Sequence, residues 1–255
     1  MRVEGRYISN TGKVREKNED SLLVNDLLVS GVSMDEAACV QSSEARQIYV
    51  VADGMGGHKR GEVASKTVLQ VIKKRYQDIR KAGDISRIML SSKEALNTIA
   101  RDDGNNYGMG TTVSGILLAD KEAFLFNCGD SRVYRLQGGS LEKLTRDHSV
   151  VQELFEFGTI TEDEMRFHPK KNILTSAVIA DLRDSPPDFD VRTLSISADS
   201  TFLICTDGLW ESVKRQEMEG CFIDQEITLQ CLFERAVSAG GRDNISAIVL
   251  RVAGL

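Results

Sequence analysis

Four aspartates of this chain stand next to short apolar runs that are typical of β-strands. They share this placement: Asp53 after 47–52, Asp130 after 123–127, Asp207 after 202–206, and Asp243 just before 245–252. A carboxylate at the end of an apolar strand is costly to bury alone, because it loses its hydration. One Asp-Gly pair is typical of a simple turn. Four such positions, together with Asn18-Glu19-Asp20 before a further run, indicate one shared site.

Converging carboxylates are tolerated where a hard divalent cation lies among them. Oxygen-rich sites with few His or Cys ligands suit Mg²⁺ or Mn²⁺, with water completing the octahedron. The three histidines, His58, His148 and His168, lack the i, i+4 spacing of a zinc-binding helix, which disfavours a zinc hydrolase. Two hard cations about 4 Å apart bridge a hydroxide and direct it at phosphorus. The carboxylates therefore predict metal-activated water as the nucleophile.

Other hydrolytic chemistries have motifs that this sequence lacks. It contains no G-x-x-x-x-G-K-[ST] loop for a nucleoside triphosphate and no G-x-S-x-G nucleophile elbow. None of its five cysteines has an arginine six positions later, the spacing of the cysteine-dependent phosphatase loop.

Length and composition predict a single domain over residues 1–255. The chain is 41% hydrophobic and 27% charged, and its three prolines form no linker. Its formal net charge of −6 disfavours nucleic acid or an anionic membrane as the main partner. The first residues contain no hydrophobic signal segment, and five cysteines without C-x-x-C spacing favour reduced thiols over a disulfide or zinc framework. We therefore expect a cytoplasmic protein.

The hydrophobic pattern predicts an α+β fold with helices packed on antiparallel sheets. Strands are predicted at Ser21–Val29, Gln47–Ala52, Thr112–Leu118, Ala123–Asn127, Arg132–Leu136, Phe202–Thr206 and Ile245–Val252. Between residues 112 and 144 four strands are joined by three or four residues each, which predicts antiparallel neighbours and excludes a Rossmann sheet. Helices are predicted near 61–80, 85–99 and 229–237. The polar, aperiodic stretch from Asp26 to Gln47 predicts a loop.

Short motifs around the carboxylates follow one another from about residue 9 to residue 250. They are GKVREKNED (12–20), VADGMGGH (51–58) with GEVAS (61–65), MGTT (109–112), CGDSRVY (128–134), LTRDHS (144–149), NILTSA (172–177), TDGLW (206–210) and GGRDNIS (240–246). In this order they resemble the metal-dependent protein serine/threonine phosphatases of the protein phosphatase 2C type, and most closely their compact bacterial members.

The resemblance implies a four-layer sandwich of two central antiparallel β-sheets flanked by pairs of helices, with metals in a cleft at one end of the sheets. It implies a signalling hydrolase that removes phosphate from phosphoserine and phosphothreonine on proteins. A hydroxide bridging two Mn²⁺ or Mg²⁺ ions attacks, and no covalent intermediate forms. The implied partners are phosphorylated proteins and an opposing serine/threonine kinase. We expect a monomer.

The resemblance also assigns roles to the site residues. Asp53 bridges the two metals and Gly54 contributes its carbonyl, while Asp207 and Asp243 hold one metal. Glu19 and Asp20 contact metal-bound water or support the site. Asp130, together with Asp207, holds a third ion.

Arg15 matches the arginine that binds the substrate phosphate, and its planar fork fits two phosphate oxygens. Many eukaryotic relatives have His where this chain has Met55, and that His is the proposed general acid. Because Met has no proton to donate, water on the metal would protonate the leaving group. We interpret His58 as a loop residue and His148 as structural.

Residues 150–175 match a flap beside the cleft. This segment contains a basic cluster, which comprises Arg166, His168, Lys170 and Lys171. The cluster is interpreted either as a solvated surface or as a binding site for acidic or phosphorylated substrate. Trp210 is interpreted as packing, and Cys128 and Cys205 as core residues.

Two other functions compete with this prediction. A catalytically inert binding or sensor module of the same fold usually lacks metal carboxylates, whereas Asp53, Asp207 and Asp243 are all present here. The second is cleavage of another phosphoester, such as a nucleotide or a phosphodiester. The acidic surface and the lack of a stacking platform disfavour nucleic acid as its substrate.

Overall fold

The computed structural model describes residues 1–56, 60–182, 186–222 and 228–254. Two six-stranded antiparallel sheets form its centre. The first sheet contains β1 (Arg2–Asn10), β4 (Ala38–Ser42), β10 (Arg132–Gln137), β11 (Ser140–Lys143), β14 (Thr201–Cys205) and β15 (Ile245–Gly254). Their order across the sheet is β11-β10-β14-β15-β1-β4.

The second sheet contains β2 (Ser21–Val24), β3 (Leu27–Ser30), β5 (Arg46–Ala52), β8 (Val113–Ala119), β9 (Glu122–Cys128) and β13 (Asp190–Ser195). Their order is β13-β9-β8-β5-β2-β3. A small third sheet, in the order β12-β7-β6, joins β6 (Gly54–Met55), β7 (Gly110–Thr111) and β12 (Val178–Ile179). It extends the backbone just beyond Asp53.

The helices are short except for the first two. Their bounds are α1 (Gly61–Arg75), α2 (Ala82–Asp102), α3 (Val150–Glu156), α4 (Glu162–Met165), α5 (Asp207–Trp210), α6 (Arg215–Glu219) and α7 (Thr228–Ser238). A 3₁₀ turn follows α1, so the first helix ends earlier than the predicted residue 80. The third predicted helix ends before Gly240 and Gly241, which both have positive φ.

Three apolar clusters separate four layers, as predicted. One lies between the two sheets and includes Leu22, Tyr49 and Ile248. A second lies between the second sheet and the pair α1 and α2, and a third between the first sheet and α5 to α7. Strand β5 is buried along almost its whole length because sheet and helices cover both of its faces.

Several strands, three of them at sheet edges, differ from the sequence-based prediction. The predicted strand Ser21–Val29 is a hairpin, in which β2 turns at Asn25 (φ 54°) and pairs with β3. The predicted loop from Asp26 to Gln47 contains β3 and β4, and β1 and β13 were missed altogether. Strands β3, β4 and β13 lie at sheet edges, where one-sided burial allows polar residues and the apolar signal is weak.

The prediction that β9 and β10 are neighbours is also wrong. Both belong to antiparallel pairs, β8 with β9 and β10 with β11, but the two pairs lie in different sheets. A short connection excludes a parallel crossover within one sheet, yet it permits the chain to pass to the facing sheet. Gly129 enables this passage with a φ of 111°, which places Asp130 between the two sheets.

The prediction that no cysteine is disulfide-bonded is wrong for one pair. Cys221 and Cys231 form a disulfide between the residues after α6 and helix α7. An odd number of cysteines does not exclude a pair, and the spacing of ten residues gave no signal for one. Cys128 and Cys205 lie in the buried clusters as predicted, and burial raises the pKa of each thiol to about 12. Within the described ranges, no helix has both the length and the apolar character needed to cross a bilayer.

Candidate active site

A cleft of about 500 Å³ opens where the ends of the two sheets meet. Asp53 follows β5 and Asp207 follows β14, at the same end at which β15 begins after Asp243. The cleft is lined by most of the predicted site residues: Arg15, Glu19, Asp53, Gly54, Asp130, Asp207 and Asp243. Asp20 lies just behind them, 1% exposed. The structure therefore brings the predicted carboxylates together at one end of the fold.

The backbone of Asp53 is fixed by the two threonines of the 109–112 motif. The Asp53 amide donates to Thr112 Oγ1 at 3.1 Å, and the Thr112 amide donates to the Asp53 carbonyl at 2.9 Å. Thr111 Oγ1 donates to the same carbonyl at 2.9 Å. Gly54 must lack a side chain, because a Cβ there would lie 2.3 Å from the Gly61 carbonyl oxygen. The aspartate and the following carbonyl are thus held rigidly.

Asn244 organises the loop that carries Glu19. Its side-chain oxygen accepts the Glu19 amide at 2.9 Å, and its Nδ2 donates to the carbonyls of Thr11 and Lys17, each at 2.9 Å. The Glu19 carbonyl also accepts from Ser65 Oγ at 2.6 Å. Asn244 and Ser65 lie in the motifs at 240–246 and 61–65, but the sequence did not predict a role for either residue.

Asp20 supports the site from beneath rather than lining it. Thr206 Oγ1 donates to Asp20 Oδ2 at 2.9 Å, whereas Asp20 Oδ1 is buried without a hydrogen-bond partner. Asp207 Oδ1 is likewise buried and unpartnered. Unpaired buried carboxylate oxygens are costly, so these two atoms mark a place that needs positive charge or a proton.

The electrostatics of the cluster agree with that conclusion. Burial and then the charge of Asp207 raise the pKa of Asp20 to about 7. Burial and then the charge of Asp243 raise the pKa of Asp207 to about 6. The pKa values of Asp53 and Asp130 rise well above their ordinary value, first through burial and then through the charge of Asp207. The cluster therefore holds repelling charges that a cation would neutralise.

The donor set fits a hard divalent cation. Its side-chain donors are carboxylate oxygens, two of them buried and unsatisfied. In the parts of the chain described above, no three His, Cys, Asp or Glu side chains are arranged to hold an ion by themselves. Mg²⁺ characteristically takes one or two carboxylates and keeps several waters, so sparse direct ligation is compatible with such an ion.

Arg15 stands at the mouth of the cleft and already has an anionic partner. Its Nη2 donates to Asp243 Oδ2 at 2.7 Å, and this hydrogen bond is the main reason why the pKa of Arg15 is raised. The Arg15 side chain is 53% exposed, so the pair is solvated and weak. Its guanidinium is therefore available to a phosphate that enters the cleft.

A family model described as protein phosphatase 2C matches residues 30–239. The chain belongs to the protein phosphatase 2C family. It is 29% identical over 258 residues to the serine/threonine phosphatase stp of Listeria welshimeri, covering 97% of this chain and 95% of that relative. The predicted family and the predicted enzyme class are thereby confirmed.

Two solved structures of this family confirm the fold. The serine/threonine phosphatase Stp1 of Staphylococcus aureus is 30% identical, with a TM-score of 0.80 over 98% of this chain and 95% of that one. The catalytic domain of the phosphatase PstP in complex with two manganese ions is 28% identical. Its TM-score is 0.79, over 98% of this chain and 99% of that chain.

The opposite wall of this protein phosphatase 2C cleft includes Asn172–Ala177, which overlaps the end of the segment 150–175 that the resemblance matched to a flap. Hydrogen bonds from the Val150 amide to Ile173 O and from the Thr175 amide to His148 O, both 2.9 Å, hold this segment. His148 is buried, and its Nδ1 accepts the Gly129 amide at 3.3 Å. The structure therefore places His148 in a supporting position. His58 lies outside the described residues.

Two cations of the 150–175 segment are engaged with the protein itself. Arg166 donates to the carbonyls of Trp210 and Val213, and Lys171 pairs with Glu211. These contacts fasten the segment to the residues around α5. Neither sequence-based interpretation, a solvated surface or a site for acidic or phosphorylated substrate, had included such contacts for these two side chains.

Proposed function

We propose that this chain hydrolyses phosphoserine and phosphothreonine on proteins, with two Mn²⁺ or Mg²⁺ ions held at the ends of the two sheets. The observation that carries the proposal is the crowding of Asp53 and Asp207 beside Asp20, whose Oδ1 is buried without a hydrogen-bond partner. Such a cluster is stable when cations occupy it. The manganese complex of PstP and the names of the relatives support the same activity.

In this proposal each residue of the cluster has a role. Asp53 would hold both ions and the Gly54 carbonyl would be a further ligand, Asp207 and Asp243 would hold one of the ions, and Asp130 with Asp207 would hold a third ion. Glu19 and Asp20 orient water or support the ligands. With ions bound by these residues, water would be activated for in-line attack at phosphorus, without a covalent intermediate.

Arg15 binds the phosphate after exchanging its bond to Asp243 for two phosphate oxygens. This exchange costs little because the ion pair is half exposed. Met55 lines the cleft but has no proton to donate, so the leaving alkoxide takes its proton from water. The substrates are phosphoproteins, which requires an opposing serine/threonine kinase.

Hydrolysis of a phosphoserine peptide by purified variants tests the proposal. Asp53→Asn and Asp207→Asn should each lower kcat/KM by about 10³-fold or more, because each removes a charged ligand. Asp199→Asn is the matched control, since Asp199 is 73% exposed and pairs with Arg251 away from the cleft. Wild-type activity in either cleft variant, or persistence of activity in excess chelator, rejects the metal assignment.

A substrate panel distinguishes the competing functions. The wild-type protein with Mn²⁺ should hydrolyse phosphoserine and phosphothreonine peptides faster than nucleotides or phosphodiesters. A preference for nucleotides indicates a different phosphoesterase. Metal binding without hydrolysis of any phosphoester indicates an inert binding module.

A further inference from the structure

Trp210 touches the backbone of a proposed metal ligand that lies 80 residues away in the sequence. It is the only tryptophan of the chain and is 7% exposed at the end of α5. Its indole Nε1 donates to the carbonyl oxygen of Asp130 at 3.0 Å. Asp130 lies in the turn that passes from one sheet to the other, where its neighbours Gly129 and Ser131 are hydrogen-bonded to His148 and Thr112. The indole therefore supplies a hold at that position.

The face of the indole is fixed by a buried ion pair. The Arg132 guanidinium stacks on the ring, with Cζ 3.4 Å from its centroid. Arg132 Nη2 donates to Asp147 Oδ2 at 2.6 Å, and Arg132 Nε lies 3.1 Å from both oxygens of Asp147. The side chains of Arg132 and Asp147 are only 15% and 2% exposed. Because the ion pair is buried and multidentate, it restrains the plane of the indole.

The same tryptophan is tied to the second proposed ligand. Asp207 and Trp210 are the first and last residues of α5, so one helical turn joins the carboxylate to the indole. The carbonyl of Trp210 in turn accepts from Arg166. Trp210 therefore connects the turn that carries Asp130 to the helical turn that begins with Asp207.

We propose that Trp210 is a positioning residue, whose indole N–H places Asp130 opposite Asp207 so that the two carboxylates form a divalent-cation site. This rests on the proposed function, in which both aspartates hold an ion. A purely structural role is the competing explanation, because Trp210 also packs with Leu209 and Leu232 in the cluster beneath the first sheet. The two explanations differ in what loss of the N–H alone does to cation binding.

Calorimetric titration of the metal-free full chain with Mn²⁺ distinguishes them. Trp210→Phe keeps an aromatic ring under Arg132 but removes the donor. It should weaken the lowest-affinity Mn²⁺ site about 10-fold, the effect typical of losing a residue that orients a ligand. Phe233→Leu, in the same buried cluster, is the control for lost packing and should bind Mn²⁺ as the wild type does. Asp130→Asn should abolish that lowest-affinity site.

The outcomes separate the two proposals. If Asp130→Asn loses the site while Trp210→Phe binds like the wild type, Trp210 only packs. If Asp130→Asn binds Mn²⁺ like the wild type, Asp130 is not a ligand, and both its assigned role and the positioning role are rejected.

A second replacement settles the question even if Trp210→Phe does not fold. Because the chain has one tryptophan, a tryptophan-auxotrophic host can substitute β-(3-benzothienyl)alanine at that position alone. This isostere has sulfur in place of the indole N–H and nearly the same shape. The same weakening of about 10-fold supports the proposal, and wild-type Mn²⁺ affinity overturns it.

Discussion

The two walls of the cleft are built differently. On the carboxylate wall, the short side chains of Thr112 and Asn244 hydrogen-bond the backbone amides of Asp53 and Glu19. The opposite wall begins at the end of the 150–175 segment, which is fastened by long cationic side chains and, outside the cleft lining, exposes Phe157 and Phe167 by 83% and 86%. A short side chain has fewer rotatable bonds than a long one, so it restrains the backbone that it bonds more strongly. The difference indicates that chemistry belongs to the first wall and adaptable contacts to the second.

Removing a backbone hold on the carboxylate wall should have the largest effect in this comparison. Thr112→Val loses the hydroxyl that accepts from the Asp53 amide and contacts Ser131. We expect kcat to fall about 10–100-fold, with the free energy of unfolding lowered by about 1–2 kcal/mol. Phosphopeptide kinetics and thermal unfolding measure the two effects. Thr193→Val, at an exposed position of β13, should change neither quantity. Equal kcat in the two variants would show that the Thr112 hydroxyl does not position Asp53 for catalysis.

Replacing Arg15 should have an intermediate effect that appears mainly in KM. Arg15→Lys keeps the charge but loses the planar fork, so one phosphate hydrogen bond is lost. We expect KM to rise about 10-fold with kcat much less affected. Arg87→Lys, at an exposed ion pair with Asp84, is the control. If KM for a phosphopeptide is the same in Arg15→Lys and Arg87→Lys, Arg15 does not bind the phosphate.

Substitutions of the exposed phenylalanines should have the smallest effect. Phe157→Ser and Phe167→Ser should each change the free energy of unfolding by less than about 0.5 kcal/mol. For a small phosphate monoester, kcat should stay within about 2-fold of wild type, because neither side chain orients a ligand. Phe202→Ser, at a residue 1% exposed, is the buried comparison and should cost about 3–5 kcal/mol. A large loss of kcat in either exposed variant would show that the 150–175 segment takes part in catalysis.

The sequence predicted the carboxylate wall well because each aspartate borders a central strand. Central strands such as β5 and β14 are buried on both faces, so their apolar runs are plain in the sequence. The edge strands β4 and β13 are half exposed and gave no such signal. The change of sheet at Gly129 was missed because a short connection does not specify which sheet the next strand joins.

The supporting contacts could not be predicted for a different reason. Asn244 bonds the Glu19 amide across 225 residues, and Trp210 bonds Asp130 across 80. Such contacts depend on how the two sheets face each other, which no local pattern records. The disulfide between Cys221 and Cys231 was missed similarly, since pairing depends on where the turn after α6 places the first cysteine.

Calorimetric titration of Mn²⁺ into the metal-free wild type, Asp53→Asn, Asp207→Asn and the Asp199→Asn control tests the central claim most directly. We expect at least two bound ions for the wild type and for Asp199→Asn, and the loss of one or more ions in both cleft variants. Identical stoichiometry and affinity in all four proteins would contradict it, because the strand-end carboxylates would then hold no metal.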